Sequence, residues 1–176
     1  ENDINLVNKI KRNGKPLVVI GGTHATSYAQ ETMSVTKKID YLIKGEYELT
    51  LLNLCKSLLG NNRIDNIKGL VYRKNGKIID TGYAELIEPL DKLPFPNYSL
   101  FPMNEKPNPA IYWDGFCQYR PALQVQTSRG CPYGCYFCLW PQVMYGSKKY
   151  RMFSPNRIVD EIEYLVKTYQ AKEIYF

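Results

Sequence analysis

Histidine is nearly absent: His24 is the only one in the 176 residues. That removes the histidine-pair zinc patterns, H-x3-H among them. No apolar run approaches the roughly 20 residues that a membrane-spanning helix needs, and no charged-then-apolar leader opens the chain. Repeats and low-complexity tracts are missing too. The cysteines lack the even number and wide spacing of a secreted disulfide framework: there are five, with Cys55 and Cys117 standing alone. These absences lead us to expect a soluble protein of the reducing cytoplasm. The chain opens on Glu rather than Met and is read as a fragment.

The residues present can build a core, since 44% are hydrophobic and 13% aromatic. The length suits one domain or parts of two. The net charge is +6, which raises nucleic acid as a partner. The lysines and arginines are scattered, however, and the densest runs are KIKR (9–12) and two KK pairs. We read them as a solvated basic surface, one that phosphate-bearing cofactors would tolerate.

INLVNKIKR (4–12) has helical periodicity and stops at Asn13-Gly14. PLVVIGG (16–22) reads as a fully buried strand ending in a glycine turn, and DYLIKGE (40–46) as a second strand. ELTLLNLCKSLLG (48–60) follows as an amphipathic helix with Gly60 as its stop and Cys55 on its apolar face, where it reads as a small core residue. This order is that of a doubly wound α/β domain with parallel strands. In GLVYRKNGKIIDTG (69–82), Asn75-Gly76 between two β-rich runs predicts a hairpin with a type I′ turn. EPLDKLPFPNYSLFP (88–102) carries four prolines and neither periodicity, so it reads as an ordered linker that continues to 121. A new unit then opens, with a strand over 122–128, a cysteine loop, a helix over 154–169 and a further strand at 172–176. Ser154 suits that helix's N-cap and Pro155 its first position. The β–loop–α–β order is the repeat of a parallel barrel, whose chemistry sits on loops at the C-terminal strand ends. The expected divisions are 1–68, 69–121 and 122–176.

SRGCPYGCYFC (128–138) places Cys131, Cys135 and Cys138 within eight positions. Thiolates are soft ligands that suit zinc or iron–sulfur clusters, and a C-x3-C-x2-C loop is short enough to wrap one centre. Gly130 and Gly134 let the backbone curl, and Pro132 stiffens it. Three ligands on a four-iron cluster leave one iron open for chemistry. The competing readings are a structural zinc with Cys117 or His24 as fourth ligand, and three unrelated buried thiols. The first lacks paired knuckles, and the second sits poorly with such close spacing.

The C-x3-C-x2-C motif with an aromatic before its last cysteine resembles the signature of radical S-adenosylmethionine (SAM) enzymes. YRMFSPNRIVDEIEYL (150–165) is similar to a run that often follows it there. Upstream, VVIGGTHAT, YLIKGEYELTLLNL and LPFPNYSL resemble, in order, elements of the family's cobalamin-binding members. The resemblance implies the end of a Rossmann-like (flavodoxin-like) cobalamin-binding domain followed by the start of a (β/α) radical SAM partial barrel. It implies a [4Fe–4S] cluster on Cys131, Cys135 and Cys138, and SAM beside Phe137 with Tyr136 near it. Gly21, Gly22, Thr23, Gly45 and Glu46 would border cobalamin. His24 lies outside the D-x-H-x-x-G motif of histidine-ligated cobalamin proteins and is assigned no cobalt. The implied activity is reductive SAM cleavage driving methyl transfer, rearrangement or cyclisation on a small organic molecule. A flavodoxin- or ferredoxin-type protein would donate the electron.

The barrel shows one strand and a fraction, and the glycine-rich segment that completes SAM binding in the family would lie beyond Phe176. This chain alone is therefore expected not to run the whole reaction. Two alternatives compete with this reading. Methylthiotransferase relatives carry extra cluster cysteines upstream, where this chain has only Cys55. An electron carrier normally uses four cysteines per cluster, so Cys117 would have to reach the loop.

Overall fold

The computed structural model describes residues 2–12, 14–60, 62–100 and 116–176. Asn13 of the expected helix stop and residues 101–115 of the proline–aromatic segment lie outside them. Two compact units emerge, each assembled from two stretches of chain. The first takes Glu1–Leu86 with Gly130–Lys149, the second Ile87–Arg129 with Tyr150–Phe176.

In the first unit, helix α1 (Asn2–Arg12) leads into strand β1 (Val19–Ile20), then short helices α2 (Thr23–Ser27) and α3 (Ala29–Val35), strand β2 (Tyr41–Ile43) and helix α4 (Glu48–Leu59). A hairpin of β3 (Leu70–Lys74) and β4 (Lys77–Asp80) completes the sheet, whose order is β1-β2-β3-β4. β1 and β2 run parallel, with Val19 opposite Tyr41, as the helix–strand order predicts. β3 pairs antiparallel with β2, Leu42 opposite Val71, and β4 antiparallel with β3. The sheet is therefore mixed. At the hairpin tip Asn75 (φ 50°) and Gly76 (φ 77°) both take positive φ, as a type I′ turn demands.

Alternation along these strands supplies both faces of the sheet with core. Leu42 and Val71 join Val7, Ala25, Ala29, Met33 and Ile39 under α1, α2 and α3. Ile43, Leu70 and Tyr72 join Leu54 and Ile67 under α4. Each such leucine or isoleucine withdrawn from water favours folding by about 1.5–3 kcal/mol. Arg73 ties the C-terminal end of α3 down, donating to the carbonyls of Met33, Thr36 (2.7 Å) and Ile39 (2.7 Å). A cation there meets the negative end of the helix dipole.

Two expectations are corrected. PLVVIGG is not a fully buried strand: only Val19–Ile20 pair, Val19 is exposed, and β1 forms one edge of the sheet among the described residues. Cys55 is exposed rather than part of the core. Of α4's residues only Thr50 and Leu54, one turn apart, are buried, and Cys55 lies about 100° around the helix from Leu54.

In the second unit, β5 (Ala122–Gln124) and β8 (Glu173–Tyr175) pair in parallel, Leu123 opposite Ile174, joined through helix α5 (Pro155–Tyr169). This is the predicted β–loop–α–β unit. β6 (Ser128–Gly130) and β7 (Tyr150–Met152) form a separate two-stranded sheet. Ser154 caps α5, its hydroxyl accepting from the Arg157 amide at 3.3 Å. Leu123, Val125, Leu165, Tyr169 and Ala171 make the core. At its margin Glu161, itself buried, accepts from the Tyr98 hydroxyl (3.0 Å) and from Arg157 Nη1 (2.7 Å). Burial first, and the Glu161 carboxylate second, hold the Tyr98 phenol well above its ordinary pKa.

Candidate functional site

The chemistry-bearing residues of the first unit gather at the C-terminal ends of its parallel strands, where α/β sheets bind ligands. Leaving β1, Gly21 and Gly22 turn the chain into α2. Gly22 (φ 106°, ψ −177°) serves as that helix's N-cap in a conformation open to glycine almost alone, and Thr23 is α2's first residue. Leaving β2, Lys44 pairs with Asp80 at 2.9 Å and lies over the Tyr83 ring, 4.5 Å from its centre. Gly45 (φ 71°) and Glu46 follow, both buried. The two strand-end turns are joined by one hydrogen bond, in which the Gly45 amide donates to Thr26 Oγ1 at 3.1 Å.

Beside β1 opens a cleft of about 490 Å³ lined by Asp3, Ile4, Asn5, Ile20, His24, Thr32 and Val35. Its size and its mixture of apolar walls with few polar groups are those of small-molecule sites. Thr32 is buried, and its Oγ1 has no hydrogen-bond partner. A buried hydroxyl left so costs about 1–3 kcal/mol, an expense that a polar ligand atom would offset. His24 lines the cleft with its ring 5.3 Å from that of Tyr28. The glycine turn, this orphan hydroxyl and the neighbouring cleft fit a large organic cofactor with amide and hydroxyl groups.

The cysteine loop belongs to the same unit. Cys131 and Cys138 are half-buried and Cys135 exposed, and all three are free thiols. A turn closes the loop, with the Cys138 amide donating to the Cys135 carbonyl at 3.1 Å. Tyr136 and Phe137 project into solvent, 91% and 77% exposed, their rings edge to face at 5.6 Å. Such open aromatic faces suit stacking against a planar base. Among the described residues, no three histidine, cysteine or carboxylate side chains stand close enough together to hold a metal ion. The loop thus presents the three thiols without gathering them round one point. The donor set fits an iron–sulfur cluster in its chemistry: three soft ligands with no disulfide to break. Gathering would accompany binding, as it does where metal and folding are coupled.

Immediately after Cys138 and Leu139 the chain makes a π-helical turn, Trp140–Met144. This turn packs on α2, and Met144 reaches the strand-end corner. Its sulfur lies 4.0 Å from Thr26 Oγ1, and its carbonyl oxygen would stand 3.0 Å from a Cβ on Gly45. Gln142 faces back into the loop, donating to the carbonyls of Cys135 (3.2 Å) and Gly134 (3.4 Å). The structure therefore brings Gly45 together with the exit of the cysteine loop. Thr32, Gln142 and Met144 carry no motif and Thr26, the last residue of VVIGGTHAT, was given no role, so sequence reasoning missed all four. Cys117, considered as a fourth ligand, is buried and lies in the other unit.

No family model matches the chain. It is 35% identical over 164 residues to an uncharacterised methyltransferase of Pyrococcus horikoshii, a match covering 93% of this chain and 33% of that protein. It is 29% identical over 160 residues to the anaerobic magnesium-protoporphyrin IX monomethyl ester cyclase of Cereibacter sphaeroides, covering 85% and 23%. Among solved structures it matches the radical SAM methyltransferase TsrM of Kitasatospora setae, determined with cobalamin and a [4Fe–4S] cluster bound. There the TM-score is 0.62 at 19% identity, over 93% of this chain and 31% of that one. Along the stretch covered, the chain shares the fold of that protein. The chain spans about a third or less of the length of the relatives it matches.

Proposed function

We propose that this chain is the part of a cobalamin-dependent radical SAM enzyme in which the cobalamin-binding corner meets the cluster loop. Cys131, Cys135 and Cys138 hold a [4Fe–4S] cluster as thiolates. Phe137 and Tyr136 offer their faces to the adenine of SAM. Gly21, Gly22 and Thr23, with Gly45 and Glu46, border the cobalamin. The cofactors, once bound, supply one-electron reduction, radical generation and methyl carriage. The chain's own residues bind and orient. The bare Gly21-Gly22 turn lets a large ring approach the backbone, the Thr26–Gly45 hydrogen bond fixes the corner's shape, and the exposed aromatic pair stands open to a planar base.

One observation supports this reading above the others: the turn leaving the cysteine loop packs on Thr26 of α2 and on Gly45 just past β2 within a single compact unit. Two cofactor sites so joined suit an enzyme that passes a group between them. We infer methyl transfer to a small organic substrate as the reaction, in line with the P. horikoshii relative, and radical cyclisation as the other outcome. The setting is a reducing cytoplasm with a flavodoxin- or ferredoxin-type electron donor. Among the described residues no helix is long and apolar enough to cross a membrane.

The test is iron, acid-labile sulfide and zinc per chain after anaerobic reconstitution, on the protein and on Cys135→Ala. The expected result is iron and sulfide in near-equal amounts, at least several-fold lower in the variant. One zinc without sulfide would overturn the radical reading and leave a structural metal module.

A further inference from the structure

Gly134 stands in the middle of the cysteine loop, between Cys131 and Cys135, and its φ is not in the left-handed range that favours glycine. What lies over its bare Cα is the end of a flexible side chain. The side chain of Lys148 lies across it, so a Cβ on Gly134 would stand 2.2 Å from Lys148 Cε and 2.5 Å from Nζ. Gly130, at the loop's entry, is the contrasting case, for it carries a positive φ of 93°. The loop's centre therefore has the Lys148 ammonium lying across Gly134 and the Gln142 amide donating to the Cys135 carbonyl.

We propose that Lys148, admitted by the bare Cα of Gly134, is a positioning residue that sets the charge environment of the thiolate loop and raises the potential at which the cluster takes up its electron. The inference rests on the cluster reading above and goes beyond it. Three thiolates and their sulfides make an anionic centre, and one more electron adds to that negative charge. A cation close by favours the reduced state by Coulomb attraction. Net charge and hydrogen bonding around the sulfurs are among the factors that set iron–sulfur potentials. In the balanced step, one electron passes from a low-potential donor to the cluster, and no bond to Lys148 forms or breaks. Lys148 is an exposed residue, so its field is screened by salt.

The experiment is a redox titration of the reconstituted protein, following the electron paramagnetic resonance signal of the reduced cluster. Its iron and sulfide content is measured first. Lys148→Gln should move the midpoint to a more negative potential, and Gly134→Ala should do the same by displacing an intact lysine. Lys148→Arg should recover most of the wild-type value, and Lys149→Gln should leave it in place. The gap between wild type and Lys148→Gln should narrow as ionic strength rises. A midpoint for Lys148→Gln equal to that of wild type, in a protein with full iron and sulfide, would overturn the proposal while leaving the cluster reading intact. A wild-type protein holding zinc without sulfide would overturn both. If Gly134→Ala fails to fold, the two Lys148 variants decide alone.

Discussion

Asp65 shows how a single half-buried carboxylate can fasten a strand. It accepts from the Tyr72 hydroxyl at 2.5 Å, from Lys74 Nζ at 2.8 Å and from Arg63 Nη2 at 3.1 Å. The hydrogen bond from Lys74 first, then those from Tyr72 and Arg63, hold its carboxyl well below the usual carboxylate range. The same bond works on the other partner: Asp65 first, then burial, pushes the Tyr72 phenol up to about 12. For Asp65 the folded pKa is depressed, so its contribution is present above the unfolded value and is lost as pH falls below about 4. For Tyr72 the folded pKa is raised, so its contribution is complete below about pH 10 and is lost as pH rises towards 12. Thermal unfolding followed across pH should therefore lose midpoint at both ends, and Asp65→Asn should flatten both limbs. An unchanged profile in the variant would mean that the bonds to Asp65 contribute nothing. Nothing in the sequence announces this cluster, nor Lys148 or Thr32. A motif is a local pattern, whereas each of these depends on which segments the fold lays side by side.

At the scale of elements the sequence carries more. The Asn75-Gly76 turn and the Ser154 cap were legible because each is decided within a few residues: positive φ at the turn, a hydroxyl before an exposed amide at the cap. α4 was legible as a helix but not as a buried face. Leucines occupy positions 49, 51, 52, 54, 58 and 59, so the apolar stripe runs most of the way round and periodicity cannot choose a side. Packing chose it, covering Thr50 and Leu54 and leaving Cys55 in solvent. Likewise the hairpin was legible but its partner strand was not, since the pairing of β3 with β2 joins residues about 30 positions apart. The choice of face has a measurable consequence. Leu54→Ala, at a fully buried position, should lower stability by about 2–5 kcal/mol. Leu59→Ala, 87% exposed, should change it by no more than about 0.5 kcal/mol. Urea unfolding midpoints of the two variants check this, and equal losses would place the wrong face of α4 against the sheet.

At the scale of the molecule, the cysteine loop leaves the β5–α5–β8 segment and packs with the glycine-rich strand ends instead. The chain passes between units after Leu86, after Arg129 and after Lys149. Sequence order places 130–149 inside a strand–loop–helix repeat, and that local order is correct. What order cannot convey is that the loop's exit turn seats Met144 against Thr26 and Gly45, more than 95 positions upstream. Each unit keeps a separate core, one built around Met33, Leu42 and Val71, the other around Leu123 and Leu165. A ligand that settles at the strand-end corner should therefore restrain segments distant in sequence but joined there, and leave the other core as it was. Hydrogen exchange on the protein with and without hydroxocobalamin measures this directly. Amides in 20–28, 43–47 and 140–146 should exchange several-fold more slowly with the ligand present, because opening any of them would first require its release. Amides of α5 around Leu165 should not change. Protection confined to 20–28 and 43–47, with none in 140–146, would separate the exit turn from the cobalamin corner. The observation that carries the proposed function would then lose its meaning.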